Sequence, residues 1–101
     1  MDYYSKAADQ GHAVGQANLA NMYYYGEGVI KSFVEARKFY KMSADQNYAR
    51  GQFRLGKMTM KGEGGDKNNL VGRKLIQKSS DQGHAAAKAY ITKLDGAVDD
   101  L

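Results

Sequence analysis

The chain has 101 residues, which is enough for one domain with a modest hydrophobic core. Hydrophobic residues make up 43% of it and charged residues 26%, a balance typical of folded proteins rather than disordered ones. Cysteine is absent, which excludes disulfides, a thiol nucleophile and cysteine-ligated metals. The net charge is +4, and such a small excess matters for binding only where it is concentrated.

Two further absences narrow the class of protein. There is no proline, so nothing in the chain forbids a helix outright. No apolar run approaches the roughly 20 residues that span a membrane, and the first residues do not resemble an ordinary signal peptide. We therefore expect no membrane association and an intracellular, cytoplasmic location.

Two glycine-containing stretches recur 36 residues apart. Gly26-Glu27-Gly28 ends the first stretch, and Gly62-Glu63-Gly64 ends the second. A fixed period with glycine turns in register predicts a stack of helical hairpins. The period divides the chain into a half repeat (1–10), two whole repeats (11–46 and 47–82) and a final half repeat (83–101).

The pattern predicts six helices, at about 2–10, 13–25, 33–46, 49–61, 69–82 and 85–95. Ser32 and Glu35 form a capping-box pattern, which places a helix start near residue 33. Asn47 and its equivalents Gly11 and Gly83 favour the left-handed conformation that ends helices. Gly26 and Gly62 should end the other helices in the same way, and Gly96 can stop the last one.

Inward positions of the repeat predict the core. Leu19, Leu55, Tyr23 and Tyr40 fall there at helical spacing and should be buried. Small residues recur where paired helices should cross closely, at Ala20, Ala36, Gly56 and Gly72. A glycine inside a helix costs about 1 kcal/mol relative to alanine, so Gly72 predicts a less stable second repeat.

The residues that recur also resemble a known family. The matching positions are Gly11-His12-Ala13, Gln16, Asn18-Leu19, Met22-Tyr23, Gly26-Glu27-Gly28-Val29, Lys31, Ala36, Phe39-Tyr40, Ala44 and Gln46. This pattern closely resembles the Sel-one-like repeat (SLR), a relative of the tetratricopeptide repeat. The resemblance implies an all-α, right-handed superhelix of hairpins and a non-catalytic adaptor that assembles protein complexes. The second repeat departs from the pattern at Thr59, Gly65, Gly72 and Ser79-Ser80.

One basic stripe is a candidate binding surface. Arg50, Arg54, Lys57 and Lys61 are spaced by three or four residues, which places them along one face of a helix. By resemblance to tetratricopeptide grooves, the first helix of each hairpin should line a concave face that binds a partner. The predicted partner-binding residues are Asn18, Asn21, Tyr24, Arg50, Phe53, Arg54, Lys57, Lys61, Tyr90 and Lys93; Val14, Ala17, Met60, Ala86 and Ala89 should lie beside them.

The asparagines beside the basic residues resemble the carboxylate clamp with which some tetratricopeptide grooves hold a peptide's C-terminus. The expected partner is therefore a protein or peptide that is acidic or ends in a free carboxylate. An ordinary solvated helix face explains the same lysines and arginines. Two other functions stay open: a purely structural solenoid segment of a larger protein, and nucleic-acid binding through the stripe, which the modest charge disfavours.

No pattern favours catalysis, a cofactor or a metal. The glycine loops complete neither a dinucleotide-binding nor a P-loop motif. His12 and His84 occupy equivalent positions two repeats apart, on the order of 20 Å or more by the spacing of helix layers, so they should not share a metal. Both are interpreted as polar residues at helix starts. We expect a protein that is not an enzyme and needs no cofactor.

The first helix predicts self-association. It carries Tyr3, Tyr4, Ala7 and Ala8, and the helix that should pair with it in its own repeat is missing from the sequence. Uncapped solenoid ends leave apolar surface exposed. Two copies are expected to pair through this end across a two-fold axis. The alternative is that an upstream repeat of a longer protein normally covers this face.

Overall fold

The structure, a computed structural model, describes the backbone of residues 2–99 and the side chains of residues 12–96. Within residues 2–99 the chain forms five helices and no strand. They are α1 (Asp2–Tyr25), α2 (Phe33–Asp45), α3 (Ala49–Lys61), α4 (Asn69–Asp81) and α5 (Ala85–Asp99). The predicted all-α class is confirmed, and the predicted number of six helices is wrong.

The difference arises at two glycines that were expected to stop helices. Gly11 lies inside α1, and α5 continues past Gly96 to Asp99. At the position equivalent to Gly11, by contrast, Asn47 and Gly83 adopt left-handed conformations with φ of 64° and 90°. Glycine permits the left-handed conformation without requiring it, and an uninterrupted helix keeps backbone hydrogen bonds that a break would lose. Local sequence therefore allowed both outcomes at these glycines.

The predicted starts of the second helix in each hairpin are confirmed by their caps. The Ser32 hydroxyl accepts a hydrogen bond from the backbone N–H of Glu35 at 3.2 Å, which starts α2. Asn68 caps α4 in the same way, accepting from the N–H of Val71 at 3.0 Å. Each side chain satisfies a donor that would otherwise lack a partner in the first turn.

Hydrogen bonds between the helices of a hairpin also recur at the 36-residue spacing. The buried Ser43 hydroxyl on α2 donates to the carbonyl of Ala13 on α1 at 2.8 Å. Ser79 on α4 donates to the carbonyl of Ala49 on α3 at 2.7 Å. Glutamines form a second repeated pair, Gln46 with Gln16 and Gln82 with Gln52. Small hydroxyls thus tie paired helices where the core is too narrow for larger side chains.

The hydrophobic core consists of two clusters that meet at α3. One cluster joins α1, α2 and α3 and contains Tyr40, Leu55 and Met58. The other joins α3, α4 and α5 around Phe53 and Ile76. Helix α3 therefore supplies apolar side chains to both sides of the stack.

Burial confirms the predicted core at two positions and corrects it at two others. Tyr40 and Leu55 are buried, whereas Leu19 and Tyr23 are only half-buried. Tyr23 stacks on the Phe39 ring at 5.8 Å, at the margin of the first cluster. Leu19 lies one helical turn before Tyr23 on the same face of α1.

The α3–α4 crossing explains the glycine at position 72. A Cβ on Gly72 would lie 2.6 Å from the carbonyl oxygen of Gly56 and would collide with the Met60 side chain. A Cβ on Gly56 would in turn lie 2.6 Å from Ile76. The predicted close crossing is therefore present, and Gly72 lets the two helices approach, whereas alanine would separate them. The lower stability expected for the second repeat stays a prediction.

The predicted self-association surface lies outside the described side chains. Tyr3, Tyr4, Ala7 and Ala8 precede residue 12, where the side-chain description begins. Pairing through this end stays a prediction.

Candidate partner-binding groove

The first helix of each hairpin contributes to one depression with a volume of about 200 Å³. We call this the central depression. It is lined by Ala17, Asn18, Asn21, Tyr40, Tyr48, Arg50, Phe53, Arg54, His84 and Ala86. Five of the predicted site residues therefore lie together here: Asn18, Asn21, Arg50, Phe53 and Arg54. Ala17 and Ala86, predicted to lie beside them, do so as well.

A second depression of about 500 Å³ continues from the first. The two depressions share Tyr48, Arg50 and His84. The second also contacts Ala13 and Val14 of α1, opposite the start of α3. We call this second volume the end depression, and the two together the groove. The three shared residues place the two depressions next to each other.

A buried tyrosine orients Asn21. The Tyr40 side chain is 1% exposed, and its hydroxyl donates to the Asn21 amide oxygen. Burial raises the pKa of Tyr40 to about 12, so the hydroxyl keeps the proton that it donates. The bond uses the amide oxygen of Asn21 and leaves the amide nitrogen, which carries two donors, for the central depression.

Arg54 is held by a neighbouring tyrosine on α1. Its Nη1 donates to the Tyr25 hydroxyl at 3.2 Å. The guanidinium has five N–H donors, so this bond leaves most of them for a partner. Arg50 lies one turn earlier on α3 and is exposed. The pair places two permanent positive charges along the same wall of the groove.

Lys57 packs into an aromatic cluster beside the groove. Its Nζ lies 5.1 Å from the centre of the Phe53 ring and 5.6 Å from that of Tyr90. Burial, with Arg54 and Lys61 adding to it, lowers the pKa of Lys57. Phe53 also contacts Tyr90 edge-to-face at 5.8 Å. Tyr90 therefore contacts the predicted residues Phe53 and Lys57, but it does not line the central depression.

An acidic residue that the sequence analysis did not assign to the site lies at the other end of the basic stripe. The Tyr24 hydroxyl donates to both carboxylate oxygens of Glu63 at 3.0 Å. Burial and this bond raise the pKa of Tyr24. A small depression there is lined by Tyr24, Tyr40, Arg54, Lys57, Met58 and Glu63. The predicted residue Tyr24 therefore faces a carboxylate of its own chain, which offsets positive charge near Lys57.

Two predicted residues lie apart from the rest. Lys61 and Lys93 are exposed, and neither is among the residues that line the three depressions. Conversely, Tyr48 and His84 line both parts of the groove without having been predicted. One signal could have found them, because Tyr48 and His84 are 36 residues apart and precede equivalent helices.

The groove offers hydrogen-bond donors and positive charge. Of the described residues that line its two depressions, Arg50 and Arg54 are the charged ones, and no Asp or Glu is among them. Among the described residues, no cluster of three or more His, Asp or Glu side chains is placed to hold a metal ion. Over the same part of the chain, no helix is both long and apolar enough to cross a bilayer.

Comparison with known proteins identifies the repeat. A family model described as the Sel1 repeat matches residues 1–12, 13–48 and 49–84. The structure resembles a Sel1 repeat protein from Oxalobacter formigenes, with 33% identity, a TM-score of 0.78 and 84% of this chain covered. It also resembles a protective antigen of uropathogenic Escherichia coli strains displaying an SLR fold, with 35% identity, a TM-score of 0.79 and 92% coverage. No curated protein sequence matches the chain.

A third similar structure is cysteine rich protein B of Helicobacter pylori, at 27% identity and a TM-score of 0.74 over 88% of this chain. The matches cover 34% of the Oxalobacter protein, 20% of the E. coli antigen and 67% of the Helicobacter protein. This chain thus spans about a third or less of the first two. Sel1 repeats are generally non-catalytic protein-interaction modules. On the family match and the shared helical-repeat structure, the chain belongs to the Sel1 repeat family.

Proposed function

We propose that this chain binds a segment of a partner protein in the groove, and that the segment is acidic or ends in a free carboxylate. One observation carries the proposal: Arg50 and Arg54 lie with Asn18 and Asn21 around a depression, and no acidic residue is found among the described side chains that line it. Ionised acceptors make the stronger hydrogen bonds with such donors, and arginine matches the two oxygens of a carboxylate.

The two adjoining depressions support a segment that occupies both. At about 200 Å³ the central depression is smaller than the roughly 300–1,000 Å³ typical of sites that enclose a whole ligand, whereas the end depression, at about 500 Å³, falls within that range. The two share Tyr48, Arg50 and His84, so a bound segment can pass from one to the other. A terminal residue or one acidic side chain in the central depression, with neighbouring residues along the end depression, fits this arrangement.

Different residues have different roles in this proposal. Arg50 and Arg54 provide charge, Asn21 provides amide donors fixed by Tyr40, and Phe53 forms an apolar floor. Lys61 and Lys93, which are exposed and lie outside the groove, contribute only long-range attraction that salt screens. The two arginines should therefore matter more for affinity than the two lysines.

The test selects peptides from a random library with free C-termini and measures their affinity by fluorescence anisotropy. We expect acidic or carboxylate-dependent peptides, and at least tenfold weaker binding to an Arg50→Gln, Arg54→Gln variant. A Lys74→Gln, Lys78→Gln variant is the matched control, because it removes the same charge at the same spacing from exposed positions on α4. Raising salt should weaken binding, and amidating the peptide's C-terminus separates the clamp from general charge attraction.

Equal losses in the two double variants, with no effect of salt or amidation, would show that the arginines form an ordinary solvated face. A chain that binds no peptide would favour the structural-segment alternative. Tight binding of a single-stranded oligonucleotide that the arginine variant loses would favour the nucleic-acid alternative. Circular dichroism of each variant establishes that it is folded.

A further inference from the structure

His84 lies where the two parts of the groove meet. Its carbonyl accepts the backbone N–H of Lys88 at 3.1 Å, so it directly precedes the first turn of α5. Its half-buried side chain lines both the central and the end depression. The imidazole packs edge-to-face on Phe53, with ring centres 5.4 Å apart. The ring is thus held by packing at a place that a bound segment would have to pass.

Among the described residues that line the groove around His84, every side chain is positively charged or uncharged. Arg50 and Arg54 face it from α3, and they add to burial in lowering the pKa of His84 below its ordinary value of 6.5. The linker between α2 and α3 contributes Tyr48 to the same lining. The described lining side chains of α1 are uncharged, including Asn18 and Asn21, and so is Gln82 at the end of α4. Farther along, the Lys57 ammonium and the Tyr90 ring lie against Phe53, and Lys88 of α5 is exposed.

We propose that His84 is an anion-binding residue of the groove, and that an oxyanion bound beside Arg50 brings a proton with it onto the imidazole. The proposal rests on the function proposed above, since it names a contact of the same site. An anion between the two side chains offsets the repulsion that Arg50 exerts on a protonated imidazole. Both imidazole nitrogens then become donors, and the bond to the anion is charge-assisted.

The direction of the pH dependence follows from linkage. Without ligand, His84 is neutral near pH 7.5, because its pKa lies below 6.5. A bound anion raises that pKa, so the complex holds more protons than the free protein as pH falls, and affinity increases. At a pH below both pKa values, each unit by which the anion raises the pKa strengthens binding tenfold. For a rise of about one unit we expect roughly five- to tenfold stronger binding at pH 5.5 than at pH 7.5.

The first test uses sulfate as the probe and needs no partner. The His84 ring resonance is titrated by NMR in sodium chloride and in sodium sulfate at equal ionic strength. The exposed His12, which lies outside the lining of both depressions, supplies a reference resonance in the same spectrum. Sulfate should raise the pKa of His84 by about half a unit or more, and by less in Arg50→Gln. A His84 titration that sulfate leaves unchanged overturns the proposal.

The second test uses an acidic peptide from the selection above, with calorimetry at pH 5.5 and pH 7.5. Wild type and a His12→Gln control should bind more tightly at the lower pH and take up a proton, whereas His84→Gln should lose both effects. Tight binding without pH dependence would overturn the role of His84 and leave the groove function standing. If no peptide binds but sulfate still raises the pKa of His84, the groove function is overturned and the role of His84 stands. If His84→Gln does not fold, the wild-type sulfate titration still decides.

Discussion

Tyr40 shows how one buried hydroxyl connects the core to the groove. It belongs to the first hydrophobic cluster and donates its proton to Asn21 at the groove surface. Burial disfavours the phenolate, and this raises the pKa of Tyr40 from its ordinary value of 10.0 to about 12. The residue serves packing and site orientation at once.

This pKa predicts alkaline behaviour that can be assigned to Tyr40. Between pH 10 and 12 the folded chain retains a proton that the unfolded chain loses, so the free energy of unfolding should fall as pH rises through this window. Ultraviolet titration of the wild type should show a tyrosine that ionises near pH 12, and the same titration of Tyr40→Phe should lack it. A missing phenol that titrates near pH 10 would contradict the burial of the hydroxyl.

Leu55 tests the packing of the first cluster. It is 8% exposed and packs with Tyr40 and Met58 between α2 and α3. Leu55→Ala should lower the free energy of unfolding by about 2–5 kcal/mol, as buried leucine truncations do. Ile30→Ala is the control, because Ile30 is 90% exposed and its loss should cost less than about 0.5 kcal/mol. Chemical denaturation of both variants measures the difference, and a Leu55 effect as small as the control's would contradict the packing.

At the scale of elements, the α3–α4 crossing sets tertiary packing against helix propensity. Gly72→Ala gains about 1 kcal/mol of propensity, but its Cβ meets Gly56 and Met60, and overpacking typically costs about 1–3 kcal/mol. We expect a net loss of stability. Gly15→Ala in α1 is the matched case, since a Cβ there meets nothing within 4 Å, and it should gain about 0.5–1 kcal/mol. Equal stabilisation by both alanines in urea denaturation would show that the helices do not cross this closely.

The loop between α3 and α4 illustrates how elements fix one another. Arg37 of α2 donates to the carbonyls of Glu63 at 3.2 Å and Asp66 at 2.9 Å, which ties this loop to the preceding hairpin. The equivalent residue on α4, Arg73, instead pairs with Asp95 on α5. The same repeat position therefore joins successive hairpins by different partners. The Arg37 bonds also help to place the Glu63 carboxylate beside Tyr24.

Across the whole molecule, helices pack mainly on their neighbours in sequence, as in other solenoids. Helix α3 contributes buried residues to both clusters, whereas Ala87 is the one buried residue among the described side chains of α5. Hydrogen exchange should therefore be slowest for amides in α3 and faster in α5, since local opening costs least where few apolar groups are buried. NMR-detected exchange resolves the two helices. Equal protection would indicate that the described helices open only together.

The sequence by itself determined the repeat, the helix class and most helix ends. Helix starts at Ser32 and Asn68, and the helix stop at Asn47, depend on interactions within a few residues. Such local chemistry can be recognised without knowing what lies nearby in space. The basic stripe was predictable for a similar reason, because helical spacing alone places Arg50 and Arg54 on one face. What this stripe binds stays a prediction.

Only the tertiary structure decided the features that depend on distant contacts. Gly11 and Gly96 continue their helices although glycine allows a stop, and Gly72 is required by a neighbouring helix rather than merely tolerated. Glu63 reaches Tyr24 across 39 positions of sequence, and His84 lies beside residues of α3 in the groove. Propensities describe what a residue permits locally. Which permitted state forms, and which charges meet, depends on packing between segments that are far apart in the chain.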